Sequence, residues 1–388
     1  MKASNRVLSG YQTTIFEVMS RLARDHDAIN LGQGFPDDKG PAELRTEAAR
    51  ALEHESNQYP PMMGVPALRQ AVAAHDHRFY GLDVDWQSQV MVTSGATEAL
   101  AACLFGLLDD GDEAIVFEPV YDSYVPIIRR AGATAVPVRL EPPDWIVPDD
   151  ALAAAFSEHT KLVILNSPMN PSGKVFSPNE LARLADLMKT WDVIGVCDEV
   201  YEHIVFGRHG HVPLMTLPGM AERCLRIGSA GKSFSLTGWK VGYLTGPAEL
   251  LGPVAKAHQF LTYTTPPNLQ RAVALGLALP DAYFESLSRD MRGKRDRLRG
   301  GLERAGLRTA TCDGTYFLNA DFSPLGFAGD DVAFCKELTV SAGVCAIPNS
   351  AFYLEPGPST VVRFCFCKSD DALDEACRRI AAWVERRR

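Results

Sequence analysis

VIGVCDEVY, Val193 to Tyr201, and SAGKSFSLTGWK, Ser229 to Lys240, decide how this chain folds. The first is a short apolar run that ends on the polar pair Asp198-Glu199, the pattern of a buried strand with its carboxyl end marked. The second opens on the last residue of another apolar run, CLRIGS, and surrounds Lys232 with small residues. Working outward, VMVT, AIVFE, KLVILN and VGYLTG repeat the strand texture, while TEALAACLFGLL and ELARLADLMKTW carry helical spacing. This alternation, from about Val90 to Leu279, predicts an α/β fold with a mainly parallel sheet. Ser177-Pro178-Asn179-Glu180 marks one helix start, with a serine cap, proline at the first helical position and glutamate at the third; that helix should run to about Trp191.

After Leu279 the texture changes. A long charged helical pattern from Tyr283 to Arg304 leads to TYFLNADF, a helix near Asp330 to Ala342, the strand VVRFCFC and a terminal helix. These form a second, smaller α+β lobe. Residues 1–38 are too few to fold alone and are expected to pack on it, giving a large domain of residues 39–280 and a small one of 1–38 with 281–388.

Composition excludes several classes. A chain of 388 residues has room for two or three lobes, and 46% hydrophobic against 22% charged residues is the balance of a soluble globular protein. The net charge, 39 − 48 = −9, gives no general field for phosphate backbones, so nucleic acid is not an expected partner. No run has signal-peptide or membrane-spanning length, and nine scattered cysteines without a C-x-x-C pair read as reduced thiols; a cytoplasmic location follows as the expectation. Cys365 and Cys367 should share one face of a strand, too far apart for an unstrained disulfide.

In sheets of this kind ligands collect beyond the carboxyl ends of the strands, where the polar motifs here fall. Ser94-Gly95-Ala96-Thr97 joins a strand to a helix, so its backbone N–H groups could hold a phosphate; taken alone, such a turn is more often simple helix capping. Ser229 and Lys240 could add a hydroxyl and a cation to the same phosphate. Lys232, left free, could attack an aldehyde, and Asp198 could keep a pyridine nitrogen protonated, so that the ring accepts electrons. Together these suggest pyridoxal phosphate. Asn170 and Tyr201 could hydrogen-bond its phenolic oxygen, and Tyr121, in EPVYDSY, could stack on the ring; a turn residue and a core aromatic are the structural alternatives. Arg363 lies among apolar neighbours and needs an anion, either a substrate carboxylate or a buried Asp or Glu.

Three other patterns fail. Gly228 to Ser233, GSAGKS, resembles a P-loop, but that motif requires glycine where Arg226 stands. LGQGFP, around Gly32 and Gly34, lacks the third glycine of a dinucleotide fingerprint. His75-x-His77 and His209-x-His211 have no third ligand nearby in sequence and read as solvated surface histidines, so no metal is assigned.

From about Thr14 to Lys368 the motifs LGQGFPDD, NQYPPMMGVPALR, SGATEAL, EPVYDSY, NSPMNPSGKVFS, CDEVYEHI, SAGKSFSLTGWKVGY, GTYFLNADFS, IPNSAFY and VRFCFCK occur in an order that resembles the class I/II aminotransferases, pyridoxal-phosphate enzymes of fold type I. The branch most similar holds kynurenine aminotransferases (glutamine transaminase K) and bacterial methionine aminotransferases. The resemblance implies a seven-stranded, mainly parallel sheet in the large domain. It implies Lys232 as the Schiff-base lysine, Asp198 on the pyridine nitrogen, Tyr201 and Asn170 on the ring hydroxyl, and Tyr121 stacked on the ring. Gly95, Ala96, Thr97, Ser229 and Lys240 would hold the phosphate, and Arg363 with Asn170 the substrate α-carboxylate, beside the backbone of Gly34. Tyr59 would reach across from a second subunit, which implies a homodimer with shared active sites. Val120 and Met169 depart from residues frequent in the family, which bears on side-chain preference.

The expected reaction passes an amino group from an L-amino acid, with an aromatic, thioether or glutamine-like side chain, to a 2-oxo acid by a ping-pong route. A carbon–sulfur β-lyase would use the same lysine. A succinyl-diaminopimelate aminotransferase would need a further cation that the motifs do not supply. A transcription regulator on this fold would need an attached DNA-binding domain, for which the residues ahead of Val90 leave little room.

Overall fold

The computed structural model describes residues 4–387. Strand β1 (Ile29–Asn30) is followed by β2 (Val90–Thr93), β3 (Glu113–Glu118), β4 (Thr134–Arg139), β5 (Thr160–Asn166), β6 (Ile194–Asp198), β7 (Cys224–Ser229) and β8 (Gly242–Thr245). The last seven form one sheet in the order β2-β8-β7-β6-β5-β3-β4. Neighbours are parallel except around β8, which is antiparallel to both β2 and β7.

Sequence period dictates how this sheet is buried. Along β3, Ala114 and Val116 enter one apolar core while Ile115 and Phe117 enter another; along β5, Leu162 and Ile164 part in the same way from Val163 and Leu165. Successive side chains of a strand point to opposite faces, so continuous apolar runs are what a sheet covered by helices on both sides demands. Helix Ala96–Leu107 contributes to the first core and helix Pro178–Trp191 to the second. Each fully buried Val, Leu or Ile contributes about 1.5–3 kcal/mol of transfer free energy. The cap foreseen at Ser177 is present in full. Ser177 Oγ accepts from the Glu180 N–H, the Glu180 carboxylate accepts from the Ser177 N–H, and the same carboxylate pairs with Lys174 at 2.8 Å.

The remaining strands are β9 (Arg308–Thr309), β10 (Phe317–Asp321), β11 (Val344–Cys345), β12 (Ile347–Pro348) and β13 (Val361–Cys365). β12-β13-β10-β9 make an antiparallel four-stranded sheet, and β1 pairs in parallel with β11. The long charged pattern forms helix Asp281–Arg304, and the terminal helix spans Asp370–Arg387. Strand β13 stops at Cys365, so Cys367 is not its strand-mate as expected. The chain turns there and brings the two buried thiols to 3.2 Å, sulfur to sulfur.

The histidine expectation is corrected in part. His77 and His209 are exposed, but His75 is buried and His211 half-buried, both within a sealed polar cluster. At its centre Arg226 is bound by Asp76 at 2.5 Å, by Glu199 at 2.6 Å and by Glu202. His75 Nε2 lies 2.8 Å from His203 Nε2, and His211 Nε2 lies 2.9 Å from Glu199. His75, His203 and Glu202 do bring one ligand atom each within 4.8 Å of one another. Glu202, however, already accepts from Tyr80, Tyr243 and Arg226, so its oxygens are engaged. Burial pulls His203 down to about 3 despite the Glu202 carboxylate beside it, which keeps that ring neutral.

Candidate active site

The register places Thr93, Glu118, Asn166, Asp198 and Ser229 at the carboxyl ends of the strands that run in one direction. Beyond that edge lies a cavity of about 410 Å³. Its walls bring together residues that the sequence keeps hundreds of positions apart.

One end suits an anion. Gly95 caps helix Ala96–Leu107 with φ 80°, a conformation that costs a residue with a side chain dearly, and so leaves the first-turn N–H groups of Ala96 and Thr97 at the cavity. Lys240 Nζ comes within 3.3 Å of where a Gly95 Cβ would sit, and Ser229 lines the same end. A helix amino terminus, a hydroxyl and an ammonium converging in this way fit a phosphate.

The floor carries an acid and an amine. Asp198 is 9% exposed; its Oδ2 accepts from Tyr124 Oη at 2.5 Å, and Asn166 Nδ2 donates to its backbone oxygen at 2.8 Å. Burial pushes its carboxyl up, while Tyr124, the Val200 N–H and Lys232 pull the other way. No cation pairs with Asp198 within salt-bridge distance among the described residues, so this carboxylate can take a cationic group of a ligand. Lys232 Nζ donates to Tyr316 Oη at 2.7 Å and lies 5.4 Å from the centre of the Tyr201 ring. Burial lowers its proton affinity; Cys367, Cys365 and Asp198 oppose that shift and Arg363 adds to it. Tyr121 lines the wall and meets Tyr124 edge-on, centroids 5.6 Å apart.

The other end carries Arg363, 1% exposed. Its Nη1 donates to Asn170 Oδ1 at 2.8 Å and its Nη2 to the Gly32 carbonyl at 2.7 Å, while Phe317, Phe352 and Phe16 surround the guanidinium. Of the two anions considered for it, the protein supplies none within salt-bridge distance among the described residues, and Nε has no partner. A carboxylate brought by a ligand fits this vacancy in the hydrogen bonding. Asn170 is held in turn by its own N–H donating to Asn166 Oδ1 at 2.8 Å. Gly34 lies beside this end with Gln33 and Phe16, and a Cβ on Gly34 would stand 2.6 Å from Phe317.

Tyr59 alone among the sequence-predicted residues is outside this cavity. It is 83% exposed and edges against Tyr263, centroids 5.7 Å apart. Three residues of the site escaped the sequence reading. Tyr124 stands in EPVYDSY three residues after the chosen Tyr121, Tyr316 is the second residue of TYFLNADF, and Asp122 faces the cavity next to Tyr121. Only the spacing of the two tyrosines in EPVYDSY offered a signal.

The model of the family described as aminotransferase class I and II matches residues 26–380. The solved N-succinyldiaminopimelate aminotransferase of Mycobacterium tuberculosis is 45% identical, aligns over 98% of this chain and 100% of its own, and superposes with a TM-score of 0.95. A methionine aminotransferase of Escherichia coli is 42% identical over 95% of each chain, and a kynurenine–oxoglutarate transaminase of Mus musculus 38% identical over 97% of this chain and 89% of its own. The chain belongs to the class I and II aminotransferases: it is a pyridoxal-phosphate-dependent enzyme that moves an amino group from an amino acid to a 2-oxo acid.

Proposed function

We propose that the amino donor carries a neutral side chain, aromatic, thioether or glutamine-like. One observation carries this reading. With Lys232 and Lys240 on the cofactor side, Arg363 is the remaining cation lining the cavity among the described residues, and the Asp122 carboxylate lines it too. Burial raises that carboxyl and Arg363 opposes the rise. Once the α-carboxylate is on Arg363, a second carboxylate on the donor would meet Asp122 and no further cation lining the cavity among the described residues. The Mycobacterium relative is described as acting on N-succinyldiaminopimelate, and its 45% identity favours that donor as the second reading. Rates with methionine, phenylalanine, kynurenine, glutamine and N-succinyldiaminopimelate, each against several 2-oxo acids, separate the two; a clear preference for the last donor overturns the first reading.

Pyridoxal phosphate, when bound, supplies an aldehyde that takes up the amine and a protonated ring that draws electrons from Cα. In this reading Ala96, Thr97, Ser229 and Lys240 hold its phosphate, Asp198 holds the ring nitrogen's proton, Tyr201 and Asn170 donate to the ring oxygen, and Tyr121 covers the ring. Arg363 and Asn170 would orient the substrate carboxylate beside Gly34, and Lys232 Nζ would act as the base that takes the Cα proton. A depressed proton affinity suits that base at neutral pH. The site lies in a large domain of residues 39–280, closed by a small one of 1–38 and 281–388, whose residues 1–3 and 388 lie outside those described.

The working form in this reading is a homodimer. Tyr59, 83% exposed, edges against the exposed Tyr263, an aromatic pair of the kind that subunit contacts cover. Tyr59→Asp should convert a dimer to monomers by light scattering and loosen cofactor binding; an unchanged dimer with wild-type cofactor affinity would count against the shared site. Nine unpaired cysteines support a reducing, cytoplasmic setting, and no helix among the described residues is long and apolar enough to cross a membrane.

A further inference from the structure

The amine of Lys232 has to leave the cofactor each time a substrate enters, and then has to stay close enough to work. Its resting place is visible in the hydrogen bonding. Lys232 Nζ donates to Tyr316 Oη at 2.7 Å, and Tyr316 Oη donates to the Gly34 carbonyl at 2.6 Å. The second bond fixes the hydroxyl proton on Gly34, so the oxygen lone pairs are turned to the lysine. Tyr316 is itself immobile: it is 1% exposed, meets Tyr201 edge-on at 5.1 Å, and stands directly before strand β10, whose residues pair with the strand bearing Arg363. Gly34 can approach only because it has no side chain, since a Cβ there would lie 3.0 Å from the Tyr316 ring.

We propose that Tyr316 is a positioning residue for Lys232: its hydroxyl receives the freed amine and ties its place to the Gly34 segment beside the substrate carboxylate site. The proposal rests on the assignment of Lys232 as the cofactor-bonding amine. When a substrate ammonium group displaces the lysine, the double bond from the cofactor carbon to Nζ is exchanged for one to the substrate nitrogen, and two of the ammonium protons end on Nζ, which leaves as the neutral amine. No oxidant or reductant enters. One N–H of the released amine points to Tyr316, which leaves its remaining valences to face the cavity. The phenol acts through the amine and needs no contact with substrate. The charged or titratable groups around Nζ are Asp198, Arg363, Cys365, Cys367 and Tyr201, and all of them remain when only the Tyr316 oxygen is removed.

Tyr316→Phe keeps the ring and deletes that oxygen. In the cofactor-free protein, bonding of Lys232 to added pyridoxal phosphate is followed by absorbance across pH. A hydrogen bond favours the charged donor, so its loss should lower the pH of half-reactivity by about one unit. In the loaded enzyme kcat should fall about tenfold while KM for the donor stays within about twofold. The decisive comparison uses Lys232→Ala rescued by methylamine: there the Tyr316→Phe change should alter the rescued rate by less than about twofold, because the amine it positions is gone. An unshifted half-reactivity pH with wild-type kcat overturns the proposal, as does a tenfold loss that persists in the rescued background. Absence of any bonding in wild type, by contrast, would strike the Lys232 assignment itself.

Discussion

Asp198 and Glu199 are neighbours in the chain and both buried, yet they turn to opposite sides of the strand end and meet opposite fates. Glu199 enters the sealed cluster, where Arg226 binds it together with Asp76 and Glu202. Asp198 enters the cavity with a phenol for company. The electrostatics diverge accordingly. Burial would raise Glu202, but the Arg226 guanidinium outweighs it, with the Tyr80 hydrogen bond adding to the effect, and the carboxyl falls far below its ordinary range. Burial raises Asp198 and nothing within the protein reverses it. A finished ion cluster holds structure together; an unfinished one is held open for a ligand. The same depth in the protein thus serves two purposes, and the partner decides which.

Substitutions can break that contrast. The largest effect should come from the cavity side: Lys232→Ala should lower turnover by about 10⁴-fold and abolish the absorbance change on cofactor addition, with chemical unfolding of the cofactor-free protein little altered. Arg226→Met should do the reverse. Three carboxylates lose their cation, so the fold should lose about 3–5 kcal/mol in urea unfolding, and residual activity should track the folded fraction. Asp198→Asn should cost about a hundredfold in kcat while the cofactor-free protein stays folded.

Its pH dependence carries the sign of the contrast. A carboxyl raised by folding favours the native state below its unfolded value, and that contribution is lost as pH rises through the folded value. A carboxyl lowered by folding, as Glu202 is, contributes above its unfolded value and loses this as pH falls through the folded one. Cofactor-free Asp198→Asn should therefore gain stability relative to wild type as pH rises from about 4 to 8. An advantage that shrinks with rising pH would show that Asp198 is satisfied within the protein. The smallest expected effect is at Asp122→Asn, which should improve kcat/KM for donors with a second carboxylate about fivefold relative to neutral donors, since one like charge is worth about 1 kcal/mol at this exposure.

The same contrast explains what the sequence disclosed. The strands of the central sheet were legible because both of their faces are apolar, and the helix at Pro178 because a capping box is a local pattern. Lys232, Asp198, Gly95 and Arg363 stood out because a lysine among small residues, an acid closing a strand, a glycine opening a helix and an arginine between apolar neighbours each break a local rule. Tyr124 and Tyr316 break none: an aromatic at the edge of an apolar run is what any core would contain, and only the fold brings their hydroxyls to Asp198 and Lys232. His75 was misread for the same reason. Its neighbour His203 is 128 positions away, and no spacing rule reaches that far. Cys365 and Cys367 were misjudged because the end of β13 falls between them, and strand boundaries are set by tertiary pairing more than by composition.

The pairing of β1 with β11 has a consequence for how the protein is born. Ile29 and Asn30 are made long before their partners Val344 and Cys345, which lie 344 − 29 = 315 positions further along the chain. The wall of the cavity that Phe16, Gln33 and Gly34 provide cannot be hung until then. A nascent chain can complete the seven-stranded sheet, with the floor of its cofactor site, while one side still stands open to solvent. Long-range pairing of this kind is slow to form. Completion of the cavity is therefore predicted to wait on this late pairing, after the central sheet has formed.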